Sequence, residues 1–523
     1  MARPPALWYA RRVPGPGLPE EVVLLSGRTE APEAAAAPSG WRRPDPVAPS
    51  PAEHRYRTLA LSVVLMGVMI TAVDTTIVVL GLPVMMQRLH ANMIGMVWVI
   101  TGYLLVLTMT TTQLGRFGDM YGRVRMYNLG FAVFTLGSVL CGLAFSQEQL
   151  VAYRLLQALG GAMVSANSGA IIADTVPANE RGRAYGLISI GWNVGAVLGI
   201  LLGGLIVTFI DWRYIFFINL PIGAVGFFLG IRVLRERSPR QGRRLDLPGT
   251  ALLGGGLLLV LMGLTNASGA GWTHAVIGEC AAGAVLLLAL VLWERGSAAP
   301  LVDVALLRHR VLSASVLAAF FQALGSFAVL FLVIMYLQGV RGLSPFRASL
   351  LLIPGYVVGG LLAPYGGRLA DRYGARLPAS AGLLLQLLAF GVYATVTPTS
   401  PLTIIVFAAL ANGIGSAFFY PANNSAVMAH APAGAYGVAS GLLRTMSNIG
   451  MVVSFAVALL AAAAAIPRQT AFAIFLGVSR LTAPMATAFV SGLRAALFTA
   501  MGLMLVAVVL SILRGHDDRA TAG

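Results

Sequence analysis

Lysine is absent from this chain of 523 residues: all 36 basic side chains are arginine. Without lysine, the phosphate-binding loop ending in Gly-Lys-Ser/Thr cannot be built, and no Schiff-base or catalytic ammonium is available. ATP hydrolysis through a P-loop is therefore excluded. Charge is scarce as well, at 11% of residues against about 25% in ordinary soluble domains. Only two cysteines occur, Cys141 and Cys280, both inside apolar runs, so neither a disulfide framework nor a thiolate metal site is expected.

What is present is apolar surface. Hydrophobic residues make up 57% of the chain and the mean hydropathy is +0.80, a composition whose natural solvent is lipid. At roughly 20 apolar residues per crossing, fourteen windows qualify: 58–82, 94–114, 126–146, 150–174, 184–209, 214–234, 248–266, 275–293, 312–337, 348–367, 378–396, 402–421, 438–465 and 494–513. The fold class read from them is an all-α polytopic membrane protein. Residues 1–57 are rich in Pro, Ala and Arg with no apolar run. They read as a disordered tail and do not resemble a signal peptide.

The formal net charge of +16 does not point to nucleic acid, because the arginines sit in short loops rather than on a stripe. Loop placement reports topology instead, since cytoplasmic loops gather arginine. Loops after even-numbered spans hold seventeen arginines, and the opposite loops hold seven, Arg468, Arg480 and Arg494 among them. Both termini are thereby expected in the cytoplasm.

An internal repeat follows. Gly115-Arg116-Phe117-Gly118-Asp119-Met120-Tyr121-Gly122 returns as Gly367-Arg368-Leu369-Ala370-Asp371-Arg372-Tyr373-Gly374 at a constant offset of 252. The two copies become equivalent if spans 7 and 8 are a pair inserted between two six-span bundles, the parallel-repeat layout of secondary transporters. The expected units are 58–237, 246–295 and 310–513, with 514–523 as a second cytoplasmic tail.

Gly115 to Arg125 resembles the cytoplasmic loop motif of the major facilitator superfamily, and further segments resemble its fourteen-span drug:proton antiporters. Those segments are Asp74-Thr75-Thr76 in span 1, Arg154-Leu155-Leu156-Gln157 with Gly160-Gly161 in span 4, Trp212 through Gly223 after span 5, and Tyr336-Leu337-Gln338 with Pro354 in the second half. The resemblance implies a two-bundle fold with an inserted helix pair, proton-coupled export of hydrophobic or cationic drug-like compounds, and no cofactor beyond the proton gradient. It also implies a conformational role for Gly115, Arg116, Asp119, Gly122, Arg123, Asp371 and Arg372. Two departures stand out: span 5 carries Gly195, Gly199 and Gly203 without the proline usual in the antiporter motif, and Ala158 replaces a usual glycine. Fourfold glycine spacing still permits close helix approach.

Position alone gives some residues a function. Asp74 lies some sixteen residues into span 1, about 24 Å from the inner boundary at 1.5 Å per residue, and Arg154 lies about 6 Å below the outer end of span 4. The two charges share a depth. A carboxylate there must pair, take up a proton or face a wet cavity, which makes Asp74 the candidate proton carrier and Arg154 its modulator; a structural ion pair, or Arg154 bonding to backbone carbonyls, is the plain alternative. Arg444 in span 13 is explained equally by snorkelling. Asp119 and Asp371 are expected in turns just before spans 3 and 11, complementing helix N-termini and pairing with Arg123 or Arg372. Cavity candidates, apolar and aromatic with few polar anchors, are Trp98, Tyr103, Trp192, Asn193, Phe321, Gln322, Asn412 and Phe418. Trp212, Phe216 and Phe217 suit an interfacial aromatic belt.

The expectation is thus a monomeric, proton-coupled exporter in the cytoplasmic membrane, with no enzymatic activity, no metal and no nucleic-acid partner. Uptake by proton symport and a non-transporting sensor on a transporter fold are the competing readings.

Overall fold

A computed structural model describes residues 50–177, 181–237, 245–297, 300–301, 308–431, 436–465 and 483–515. Among them, fourteen helices are long and apolar enough to cross a membrane. In the first half these are α1 (Pro51–Arg88), α2 (Met93–Tyr121), α3 (Arg123–Gly142), α4 (Gln147–Thr175), α5 (Arg181–Phe209) and α6 (Tyr214–Val233). The inserted pair is α7 (Leu247–Ala270) and α8 (His274–Glu294). The second half holds α9 (Arg310–Val340, its last turn a π-turn), α10 (Pro345–Tyr373), α11 (Arg376–Ala394), α12 (Thr403–Ala429), α13 (Tyr436–Ala464) and α14 (Ala483–Leu513).

Each helix coincides with one expected window; nine enclose it, while α3, α6, α11, α12 and α13 fall one to four residues short of it at one end. Residues 51–57, read from sequence as part of the tail, form the first turns of α1; the tail up to residue 49, Arg240, Arg243, Arg244, Arg468, Arg480 and the end of the chain from 516 lie outside the described residues. α14 begins eleven residues before its window because Arg494, which closed that window, is inside the helix. Its guanidinium donates to the carbonyls of Ala394 and Val396 at the end of α11, at 3.0 and 3.1 Å. Backbone acceptors satisfy a charge that hydropathy alone treats as a loop signal.

Packing follows the repeat. α1 lies against α5, α4 and α6, while α4 also holds α2 and α3; in the second half α9 lies against α13 and α14, and α12 holds α10 and α11. Between halves, α5 packs on α10 and α2 on α13. The fifth helix of each bundle thus meets the second helix of the other. The apolar window of α1 is 72% buried within the protein and that of α8 only 17%, which puts α1 at the centre of its bundle and leaves α8 for lipid.

The three glycines of α5 explain how closely it approaches α1. A methyl group built on Gly195 would stand 2.8 Å from the carbonyl oxygen of Met69, one on Gly199 2.6 Å from that of Val73, and one on Gly203 3.2 Å from that of Ile77. Thr76 Oγ1 completes the contact by donating to the Ala196 carbonyl at 3.3 Å. Backbone cannot retreat as a side chain can. Gly199→Ala is therefore expected to destabilise by about 1–3 kcal/mol, the usual range for overpacking, whereas Gly441→Ala, with nothing within 4 Å of the added carbon, should be nearly neutral. Thermal unfolding of the two purified variants checks the contrast.

Candidate functional site

The core of the first bundle is polar and closed. Asp74 on α1, fully buried, forms an ion pair with Arg154 on α4, whose Nη1 donates to Oδ2 at 2.7 Å. Its other oxygen, Oδ1, accepts from Gln157 Nε2 at 2.8 Å and from Asn219 Nδ2 on α6 at 3.1 Å. Arg154 in turn donates to Gln157 Oε1 at 2.6 Å and, through Nε, to the Val99 carbonyl of α2 at 3.2 Å. Ser138 on α3 accepts from Gln157 at 2.6 Å and Asn219 at 3.3 Å. The carboxylate thus belongs to a network drawn from five helices, with α4 and α6 bonding it directly.

The surroundings keep water out. Tyr103 of α2 lies under the guanidinium, its ring centroid 4.1 Å from Arg154 Cζ, and the Phe216 centroid stands 5.8 Å away on another side. Such contacts suit a cation. Trp212, 1% exposed, and Phe216 are buried, so the interfacial belt expected for them does not hold. Phe217 packs against Gly142. The aromatic residues at the start of α6 pack into the bundle instead: the Trp212 and Phe216 rings meet edge-on at 6.3 Å between centroids. The Tyr103 hydroxyl and Asn219 Oδ1 are buried with no hydrogen-bond partner among the described residues.

Both of the plain alternatives for Arg154 occur together here, a carboxylate and a carbonyl. Gln157 was visible as part of the arginine motif, three residues from Arg154 and hence on its helix face, but no role followed from that. Ser138 and Asn219 were missed. Their signal was a polar residue within an apolar span, which usually bonds across helices, although nothing in the sequence said to which helix.

At the loop end of the bundle the first copy of the repeated motif is a built structure. Arg123 pairs with Asp119 at 2.7 Å and with Asp174 of α4 at 2.7 Å. Asp119 is not in a turn: it belongs to the last turn of α2. The acid meeting the N-terminus of α3 is Glu236, after α6, which accepts from the amides of Arg123 at 2.7 Å and Val124 at 3.2 Å. Gly122, at φ +116°, makes the turn beside that carboxylate, a conformation that favours glycine. Arg116 donates to the Pro300 carbonyl at 2.8 Å, reaching the segment that leads into the second half.

The second copy is not built this way. Asp371, inside α10 rather than in a turn, makes no ion pair with Arg372 among the described residues; Arg372 lies over Tyr373 and Arg368 over Tyr365. Position 375, where the repeat would place the partner of Asp371, is alanine.

The cavity candidates divide. Tyr103 and Gln322, 1% and 2% exposed, line no open surface. Gln322 belongs to an uncharged network, donating to Gln386 Oε1 at 3.1 Å and Ser326 at 3.0 Å and accepting from the Tyr420 hydroxyl at 3.0 Å. Phe418 packs where α12 crosses α11, its Cβ 3.2 Å from a methyl built on Gly382. Trp98, Phe321 and Asn412 are half-buried, and Asn412 Oδ1 has no partner among the described residues. Trp192 is 38% exposed, and Asn193 beside it faces Gly360 of α10, with 3.8 Å between the Asn193 Cβ and a methyl built on that glycine.

The halves touch at the end away from the loop motifs. Thr208 Oγ1 accepts from the Phe346 amide at 3.0 Å, Phe209 packs edge-on to Phe346, and Gln338 of the π-turn donates to the Leu80 carbonyl at 3.1 Å.

Against known proteins, the family model described as Major Facilitator Superfamily matches residues 64–455. A riboflavin transporter of Clostridioides difficile is 30% identical over 405 residues, covering 77% of this chain and 87% of that protein. A tetracenomycin C resistance and export protein of Streptomyces glaucescens is 31% identical over 394 residues, covering 75% and 73%. Among solved structures, a bacterial homolog of the human lysosomal transporter Spinster, inward-facing and unoccupied, superposes with a TM-score of 0.63 at 18% identity, covering 88% of this chain and 97% of the other.

Proposed function

The chain belongs to the major facilitator superfamily, and on that premise we propose that it exports apolar, drug-like molecules across the cytoplasmic membrane in exchange for protons, with Asp74 as the proton carrier. As a member it is a multi-pass transporter of small molecules and not an enzyme. The observation carrying the proposal is a carboxylate held by donors from two other helices in a site closed to water. Export draws its support from relatives such as the tetracenomycin C exporter.

Coupling follows from hydrogen-bond chemistry. As a carboxylate, Asp74 only accepts, and each neighbour described at its two oxygens donates. A proton on either oxygen turns an acceptor into a donor, so Arg154 on one side, or Gln157 and Asn219 on the other, must move. Those donors belong to α4 and α6, and α1 bears on α5, which touches α10 in the other half. Protonation is thereby tied to the helices that close the seam between halves. Arg154 supplies the countercharge that resets the site when the proton leaves. Both termini and the loop motifs are cytoplasmic in this reading, the closed end is external, and the arrangement described is the inward-facing one. The protein acts as a monomer and needs no cofactor besides the proton gradient.

Uptake by proton symport is the second reading, favoured by α5 running unbroken from Arg181 to Phe209 without a proline. Everted vesicles separate the two: solute-dependent release of protons from the lumen marks export by exchange, co-directional flux marks symport, and no flux would leave a sensor on a transporter fold. Orientation has its own check. Reporter fusions should place position 240 in the cytoplasm and position 270 outside, and either on the wrong side would overturn the topology.

A further inference from the structure

We infer that the carrier exchanges one proton per solute, so that it concentrates uncharged solutes and monovalent cations but must work against the membrane potential to export divalent ones. This rests on the exchange reading above and fixes its stoichiometry and the charge class of its solutes. The chain has 20 acidic residues, and all but one are out of place for carrying a proton between the halves. Five precede residue 50, and Glu180, Asp303, Asp517 and Asp518 fall between or after the helices in the sequence. Glu53, Asp119, Glu148, Asp174, Glu294 and Asp371 each lie in the first or last turn of a helix, while Asp211, Glu236 and Asp246 stand in connections. Two remain inside a span, Asp74 and Glu279.

Glu279 belongs to the inserted pair. It accepts from Asn266 Nδ2 of α7 at 3.0 and 3.4 Å, on a helix that packs against α7 and whose apolar window is only 17% buried within the protein. Its bonds therefore stay outside the two bundles. The bases offer no alternative carrier. Lysine is absent, the six histidines are at helix ends or beyond them, and Arg154, Arg444 and Arg494, which lie well inside helices, cannot lose a proton. Around Asp74 itself, α4 contributes Arg154, α2 contributes Tyr103 beneath that guanidinium, and α3 contributes Cys141, 3.8 Å from Gln157 Oε1. Phenols and thiols hold their protons at neutral pH. The other helices packed on α1, which are α5, α6, α9 and α10, carry charged side chains only near their ends.

The second half has no counterpart to this site. From Arg310 to Leu513 the sequence contains one acid, Asp371, at the loop end of α10. The first, third and fourth helices of the first bundle contribute to the network around Asp74, whereas those of the second meet on amides and hydroxyls. Gln322 of α9 donates to Gln386 of α11 at 3.1 Å, Gln386 donates to Ser416 of α12 at 2.9 Å, and the Tyr420 hydroxyl of α12 donates to Gln322 at 3.0 Å. Such a network takes up no proton in the working range.

One carboxyl carries one proton inward, and the solute carries its own charge outward. For an uncharged solute the cycle moves one net charge, so the pH gradient and the potential both drive export. A monovalent cation cancels that charge and leaves the pH gradient alone. With a divalent cation the net charge moves outward, and the potential, which weights every elementary charge in full, opposes export.

The test places the full-length protein in liposomes with an acidic lumen and uses ethidium, a monovalent cation, as probe. At zero potential and a proton gradient of about tenfold, one proton per ethidium limits accumulation to about tenfold, and two would allow about a hundredfold. An inside-positive potassium diffusion potential of about the same size should leave the ratio within about twofold, whereas a two-proton carrier would gain about another tenfold. Liposomes holding Asp74→Asn/Arg154→Gln, in which both buried charges are removed together, supply the background. A second count needs no transport: infrared difference spectra of the purified protein between about pH 5 and about pH 9, where ordinary carboxyls are largely ionised, should show one carboxylic acid band that the double variant lacks and Glu279→Gln keeps. A band persisting in the double variant, no band in wild type, or ethidium accumulation that rises with the potential would each overturn the inference. Two-proton flux would leave exchange standing and strike only the stoichiometry. If ethidium is not carried at all, exchange fails for that cation and the infrared count decides the number of protons.

Discussion

Asp74→Asn is expected to abolish gradient-driven accumulation of solute in everted vesicles while leaving solute binding in place, and to lower stability by about 3–5 kcal/mol. The second effect arises because Arg154, 1% exposed, loses its counterion, and a buried charge left without its partner is costly on that scale. The amide also turns one side of the group into a donor that confronts Gln157 and Asn219 or Arg154 itself. A single variant therefore confuses a lost proton site with a weakened fold. The double variant Asp74→Asn/Arg154→Gln separates them, since removing both charges eliminates the uncompensated one. Its unfolding temperature should recover most of the loss, yet accumulation should stay absent because no titratable group remains at the site. Should the double variant regain accumulation along with stability, the pair is structural and Asp74 is not the carrier.

Arg123→Gln should insert normally and transport roughly tenfold to thirtyfold more slowly. Arg123 ties the end of α2, through Asp119, to the end of α4, through Asp174. These side chains are 12–16% exposed, so each bridge is worth about 1 kcal/mol once solvent screening is allowed for, and two together shift an equilibrium by that factor. Asp119→Asn removes one bridge and should cost about fivefold. Initial rates at matched protein levels decide: unchanged rates in both would reduce the motif to an orientation signal. Only the first copy of the motif should behave this way. Asp371→Asn should leave the rate near wild type, since position 375 offers no arginine for it to hold.

Fourteen spans, their order and the repeat were legible because each depends on the chain locally. A helix in lipid satisfies its own backbone, so an apolar stretch of sufficient length predicts it without knowing the neighbours. Depth is local too: counting residues at 1.5 Å each set Asp74 and Arg154 at one level. Azimuth is not. Which side of a helix faces which neighbour depends on crossing points set by the whole bundle, and several expectations that needed it were incomplete or wrong. Trp212 and Phe216 are buried in the bundle, Tyr103 went under Arg154 rather than into a cavity, and Asp119 stayed in α2 while Glu236, more than a hundred residues later, reached the start of α3.

The sequence alone therefore determined a fourteen-span protein of two equivalent halves with an acid and an arginine at one depth, since hydropathy and rise per residue act along a single helix. Tertiary packing alone decided that the pair is sealed by Gln157, Ser138 and Asn219, and that among the described residues one motif copy is bridged and the other is not. Partnership between side chains is a property of helices meeting, and glycines such as Gly195 and Gly199 fix where they meet.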